Sequence, residues 1–215
     1  MDVAIHYRSS SGQAEEAVAA CRDRGVRAVA IQGDLSRASA CHDLVAGAER
    51  ELGGIDVLVN SAANFVSGKL ADLTEEDVDR ALAVNLKAPL FCAQAVAPGM
   101  TARGMGRIVN IADVAGLEPW PSFLAHGAAK AGLVHLTRSL AQALAPAILV
   151  NAIAPGTVLM PEGSTADAEA RSAAKSVLGR VGEPGDVAGA LIYLLEADYV
   201  TGHTLVVDGG RMVRE

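Results

Sequence analysis

Six short apolar runs, separated by longer amphipathic stretches, constrain this 215-residue chain more than any other feature. The runs are Val3–Tyr7, Ala28–Gln32, Val57–Asn60, 107–111, 148–153 and Thr204–Val207, near-continuous in Val, Ile, Leu and Ala. A strand with one wet face alternates apolar and polar residues. A run that is apolar at nearly every position belongs to a strand covered on both faces. Helical periodicity falls between the runs, at 13–24, 38–52, 75–102, 125–144 and 184–196, and Pro98 is expected to break the third. Strand and helix in alternation predict an α/β fold: a doubly wound parallel sheet with right-handed crossovers, one domain over residues 1–215.

Composition narrows the function. The net charge of −7 gives no electrostatic reason to bind nucleic acid or an anionic membrane. No apolar run approaches the roughly 18 residues of a membrane span, so a cytoplasmic protein is expected. Cys21, Cys41 and Cys92 are few, odd in number and widely spaced, which fits reduced thiols. His6, His42, His135 and His203 have no ligand-like spacing, and no metal site is expected.

In a doubly wound sheet, ligands bind beyond the carboxyl ends of the strands. Polar and small residues collect there in this chain: Arg8 and Ser9, then Asp34, then Asn60 to Ala63, then Asp113, then Pro155 and Gly156. Five such ends in series predict a cofactor cleft. The stretch 155–164, rich in proline and glycine, is expected to be a mobile segment over a pocket.

Several stretches together resemble the short-chain dehydrogenase/reductase family over essentially the whole chain. They are Asp56-Val-Leu-Val-Asn-Ser-Ala-Ala63, Val84-Asn-Leu86, Arg107-Ile-Val-Asn-Ile111, the four-residue step from His126 to Lys130, Val150-Asn-Ala-Ile-Ala-Pro-Gly156, and Val200-Thr-Gly-His-Thr-Leu-Val-Val-Asp-Gly-Gly210. Within the family the chain looks most like pteridine reductases and their bacterial relatives. Asp113 stands 13 residues before the family's tyrosine position, where most members place serine, and Phe65 matches a phenylalanine that stacks on pterin.

The resemblance implies a Rossmann-like fold, NADP (NAD less so) as cofactor, and a homotetramer built on 75–102, 125–144 and the C-terminal strand. It implies catalytic roles for Asp113, His126, Lys130 and Asn85, the last holding a proton-relay water. Lys130 would also bind the nicotinamide ribose. Arg8 and Ser9 would grip a 2′-phosphate, because a guanidinium fork suits phosphate oxygens. Asp34 would meet adenine, Pro155, Gly156 and Thr157 the nicotinamide end, and Asn60 and Ala62 would also bind the cofactor. Phe65 and Asp113 would touch substrate. Each residue also has a plainer reading: Asp113 as a turn cap, Phe65 as a core or lid contact, Arg8 and Ser9 as a solvated turn. Trp120 packs in its loop or walls the pocket.

Two departures from the family matter. Members begin with a strand, a glycine-rich turn and a helix whose N-terminus holds the pyrophosphate. Gly53-Gly54, Gly104-Met-Gly106 and Gly209-Gly210 do not lie between a strand and a helix, so none can serve as that turn. The expected fold therefore lacks the family's first strand and helix, and a central strand lost from a sheet leaves about 10 Å between neighbours instead of ~4.8 Å. The expectation is a piece of a longer protein, with about 30 further residues upstream carrying the glycine turn. The second departure is His126 in the tyrosine position. Imidazole can donate a proton near neutrality, so His126 is either a weakened acid, with Asp113 carrying the proton in its stead, or the mark of a degenerate copy. The activities to separate are an NADP-dependent reductase of a pteridine or similar small carbonyl or imine, a catalytically deficient binding or structural subunit, and a non-functional fragment.

Overall fold

A computed structural model describes residues 1–161 and 163–214. Glu162, within the stretch 155–164, lies outside the described residues. In chain order the elements are β1 (Val3–Tyr7), α1 (Ser11–Arg22), β2 (Ala28–Gln32), α2 (Ala38–Leu52), β3 (Val57–Asn60), α3 (Glu75–Leu82), α4 (Ala88–Arg103), β4 (Gly106–Ile111), α5 (Leu124–Leu144), β5 (Ile148–Pro155), α6 (Ala166–Ala173), α7 (Pro184–Glu196) and β6 (Thr204–Val207). All pairing is parallel, as continuous apolar strands linked by helices require.

The strands form two ladders, β1-β2 and β3-β4-β5-β6, and no ladder joins β1 to β3 among the described residues. Helix α2 spans the junction, touching β1 and β2 on one side and α4 on the other. Its C-terminus is set by Gly53, whose φ of 84° supplies the left-handed turn that a side chain would oppose.

The main core lies between the four-stranded ladder and α2, α4 and α5, around Cys41, Val96, Met100, Ile108, Ile148 and Val150. Full burial of each large aliphatic side chain contributes about 1.5–3 kcal/mol. A second core under α7 joins Val109, Ile153 and Leu194 on the other face of the ladder. That two-sided burial explains why β4 and β5 carry apolar residues at almost every position.

Two expectations are corrected. Helix α4 runs unbroken through Pro98. Pro98 and Gln94, the residue whose carbonyl loses its partner, are both exposed, so solvent can satisfy that oxygen. The irregularity comes earlier, as a π turn at Ala83–Lys87 between α3 and α4. The combined run Glu75–Arg103 also reaches membrane-span length and apolarity, with mean hydropathy 1.2 in its best window, although no such stretch was expected. It packs instead on α2 and on β3, β4 and β5 as a core helix. Helix α6 was not anticipated. Thr165 caps it by accepting the Ala168 N–H, and Asp167 and Glu169 favour its first turn.

Candidate active site

The site is built where β4 ends and α5 begins. Beyond Ile111 the chain turns at Asp113, whose Oδ1 accepts the Ala115 N–H at 2.8 Å and caps the 3-10 turn Val114–Gly116. That turn lies hard against α5: a Cβ on Gly116 would sit 2.7 Å from the Lys130 carbonyl carbon. Only a glycine permits the approach that brings Asp113 to the helix. On α5, His126 and Lys130 are one turn apart and share a face.

Asp113, His126 and Lys130 converge. His126 Nε2 is 3.3 Å from Asp113 Oδ2, and its Nδ1 is 3.1 Å from the Asn64 main-chain oxygen. Lys130 Nζ donates to the Ile111 carbonyl at 2.7 Å. Burial pulls the Lys130 ammonium down to about 8, with the Asp113 carboxylate opposing the shift. His126 is wholly inaccessible, whereas the Asp113 side chain keeps 15 % of its surface open. Asp113 thus has two engaged oxygens, one as a cap and one toward His126.

Asn85 sits in the π turn and is fully buried. Its Nδ2 donates to Asn64 Oδ1 at 2.8 Å, to Asn64 O at 3.1 Å and to Ala81 O at 3.1 Å. Asn64 in turn donates its side-chain amide to Arg80 O at 2.8 Å. The Asn64–Asn85 clasp is therefore what holds the surface on which His126 rests. Sequence reasoning placed Asn85 but assigned nothing to Asn64. Its only signal was a position in the turn after β3.

Phe65 stacks on His126 with ring centroids 4.2 Å apart and an interplanar angle of 23°. It remains 61 % exposed, so its other face is open. Phe123 meets Phe65 edge-on, and Trp120 meets Phe123 in the same way. Trp120 is held by Glu118, which also accepts from Arg211, and the Arg211 guanidinium lies 4.6 Å over the indole. An aromatic wall thus runs from His126 outward.

Residues expected to meet a cofactor occupy two places. Arg8, Ser9, Asp34 and Ala62 line one cavity of about 430 Å³ between the ends of β1 and β2 and the turn after β3. The Ser36 backbone N–H, and after it the Ser36 hydroxyl, hold the Asp34 carboxyl below its ordinary range. Pro155, Gly156 and Thr157 lie at the end of β5. There a Cβ on Gly156 would come within 2.9 Å of the Asp208 backbone, and Thr157 Oγ1 accepts from Ser172 of α6 at 3.1 Å. The Asn60 side chain turns away from both places and donates to Asn110 Oδ1 at 2.8 Å, bracing β3 against β4. Asn110 continues the chain to Thr137 of α5 at 2.9 Å. The cavity suits the adenosine half of a dinucleotide, with a cation at its rim. Between β1 and α1 the sequence Arg8-Ser9-Ser10 offers no glycine turn for a pyrophosphate.

A parallel α/β sheet with an aspartate, a buried lysine and a nucleotide-sized cavity along its carboxyl rim fits a nucleotide-cofactor oxidoreductase class. Comparison with known proteins agrees. The family described as Enoyl-(Acyl carrier protein) reductase matches residues 1–211. A 3beta-hydroxysteroid dehydrogenase of Eggerthella lenta is 38 % identical, covering 98 % of this chain and 84 % of that one. Acetoin dehydrogenase of Salmonella typhimurium superposes with a TM-score of 0.90 at 34 % identity, covering 100 % of this chain and 87 % of that one. A blue fluorescent protein from a metagenomic library, solved in complex with NADPH, gives a TM-score of 0.88 at 32 % identity, covering 98 % and 87 %. The chain belongs to the short-chain dehydrogenase/reductase family, oxidoreductases that bind NAD(P).

Proposed function

We propose that this protein is an NADP-dependent reductase of a small, flat carbonyl or imine substrate, a pteridine or similar heterocycle. The observation that carries the proposal is the meeting of Asp113, His126 and Lys130 on one rim, beside a cavity large enough for a nucleotide. Bound there, the cofactor supplies a hydride. The chain's own residues do the rest: Lys130 holds the ribose hydroxyls, Arg8 pairs with the 2′-phosphate, and the Asp113 side handles the proton. Phe65 offers its open face to a planar ring, which supports a heterocyclic substrate. The long apolar groove between α4 and α5, lined by Leu90, Ala97, Pro98, Leu140 and Leu144, supports assembly with further copies of the chain, a tetramer by family resemblance.

A second reading is a binding or structural subunit without turnover, and the complete burial of His126 is the observation in its favour. Titration with NADPH and NADH, read by the fluorescence of Trp120, separates the two. Saturable quenching that is tighter for NADPH, together with oxidation of NADPH by a pterin or quinonoid imine, is expected. Binding without turnover across a panel of carbonyls and imines would favour the subunit. The absence of any saturable binding would end the reductase proposal.

A further inference from the structure

The hydrogen bonds around His126 fix more than its position. Its Nδ1 faces the Asn64 carbonyl oxygen at 3.1 Å, and a carbonyl oxygen only accepts, so Nδ1 carries a hydrogen. If the ring held no other proton, Nε2 would present a bare lone pair to Asp113 Oδ2 at 3.3 Å. An ionised carboxylate is likewise an acceptor only. Two acceptors cannot face each other, one of them on a fully buried ring, without a penalty of about 1–3 kcal/mol for the unmet pair. The contact is satisfied only when one proton lies between them. The other Asp113 oxygen is already occupied by the Ala115 N–H.

We infer that Asp113 and His126 hold one proton in common and that Asp113, not His126, hands it to the substrate. Exposure decides the direction: the imidazole has no accessible surface, whereas the carboxyl retains 15 %. His126 therefore does not stand in for the family's phenol as the group that touches substrate. It is a positioning residue that keeps Asp113 loaded, and Asp113 becomes the catalytic acid. The Asn64–Asn85 clasp fixes the tautomer on which this depends, because it holds the carbonyl that claims Nδ1. Among the described residues, Lys130, from the same helix as His126, is the charged group felt by Asp113; Asn64 and Phe65, which meet the His126 ring, and Asn85, which clasps Asn64, are neutral.

The use of the proton rests on the reductase reading; its existence does not. In that reaction the hydride reaches the substrate carbon as the C=O or C=N π pair shifts to the heteroatom. The heteroatom takes the proton from Asp113 Oδ2, leaving a carboxylate beside neutral His126. A proton from solvent, entering through the exposed side of Asp113, restores the pair. Hydride plus proton equals the two hydrogens of the product.

The test is nitrogen-15 NMR of histidine-labelled protein, with the His126 signals assigned by their loss in His126→Gln. At neutral pH Nδ1 is expected to be protonated and Nε2 to show a protonated or intermediate shift. In Asp113→Asn the amide can donate to Nε2, which should move to the shift of an unprotonated ring nitrogen. A wild-type Nε2 already at that position, or an Nδ1 without hydrogen, overturns the shared proton. On turnover, Asp113→Asn should lower kcat by about 10²- to 10⁴-fold with little change in KM for NADPH, the loss typical of a removed general acid. His126→Gln should lower kcat less and displace the pH profile, which a packing role would leave in place. If His126→Gln proves the more damaging, the direction of transfer is wrong. If the NMR result holds while no substrate turns over, the proton pair stands and the reductase proposal is what fails.

Discussion

Lys130→Met removes a charge that the fold holds under burial. The lysine is 3 % exposed and its ammonium is brought from 10.5 to about 8 by burial. At about 1.4 kcal/mol per pKa unit, the charged native state carries roughly 3 kcal/mol of unfavourable free energy at neutral pH. The folded pKa lies below the unfolded one, so the sign follows. Below about 8 both states are protonated and the penalty is complete. Between 8 and 10.5 the folded lysine releases its proton while the unfolded chain keeps its own, and stability recovers as pH rises. Methionine carries no such term, but it forfeits the bond to Ile111 O, which costs about 1 kcal/mol. The variant should therefore be more stable than the wild type by about 2 kcal/mol at pH 7, and the two should lie within about 1 kcal/mol at pH 10. Urea unfolding followed by Trp120 fluorescence at several pH values measures the gap, and groups common to both proteins cancel in the difference. A gap that stays constant from pH 7 to pH 10 would refute the burial argument.

Other variants probe the framework. Asn85→Leu strips the clasp of its donor and leaves Asn64 Oδ1 without that partner; a loss of about 2–3 kcal/mol in denaturant unfolding is expected, with the His126 ring signals broadened. Gly116→Ala sets a methyl against the Lys130 backbone and should push the Asp113 turn off α5. Destabilisation of about 1–3 kcal/mol is expected, with loss of turnover exceeding loss of NADPH affinity; an unchanged melting temperature would contradict the close approach. Thr137→Val keeps the shape but removes the oxygen that receives Asn110, costing about 1–3 kcal/mol by thermal unfolding. A smaller effect than Asn110→Ala is expected, because the latter also strands Asn60.

Much of this fold is legible in the sequence, because short runs apolar at nearly every position mark strands, even though only β4 and β5 are buried along most of their length. Four of the strands, Val3–Tyr7, Ala28–Gln32, Val57–Asn60 and Thr204–Val207, have the bounds their side chains announce. The errors have local causes. Pro98 reads as a helix breaker only if its neighbours are enclosed, and exposure is a tertiary property. The π turn at Ala83–Lys87 has no compositional mark; it carries Asn85, whose amide reaches Asn64. The site residues Asp113, His126 and Lys130 could be placed by spacing, since a helical turn fixes the last two. What their order along the chain could not reveal is that one imidazole nitrogen is committed to a main-chain oxygen. Main-chain groups carry no letter in a sequence, so Asn64's part in the site was invisible.

The separation of the sheet into two ladders bears on how the cavity at their junction behaves. Among the described residues no strand pairing crosses it: the two sides meet through side chains, with α2 touching β1 and β2 and packing on α4, and Leu35 reaching the main core. The opening beside Arg8 and Ala62 is thus walled by strand ends and loops from both ladders rather than by one continuous sheet. A molecule seated there would touch both ladders at once and add its own contacts to the few that join them.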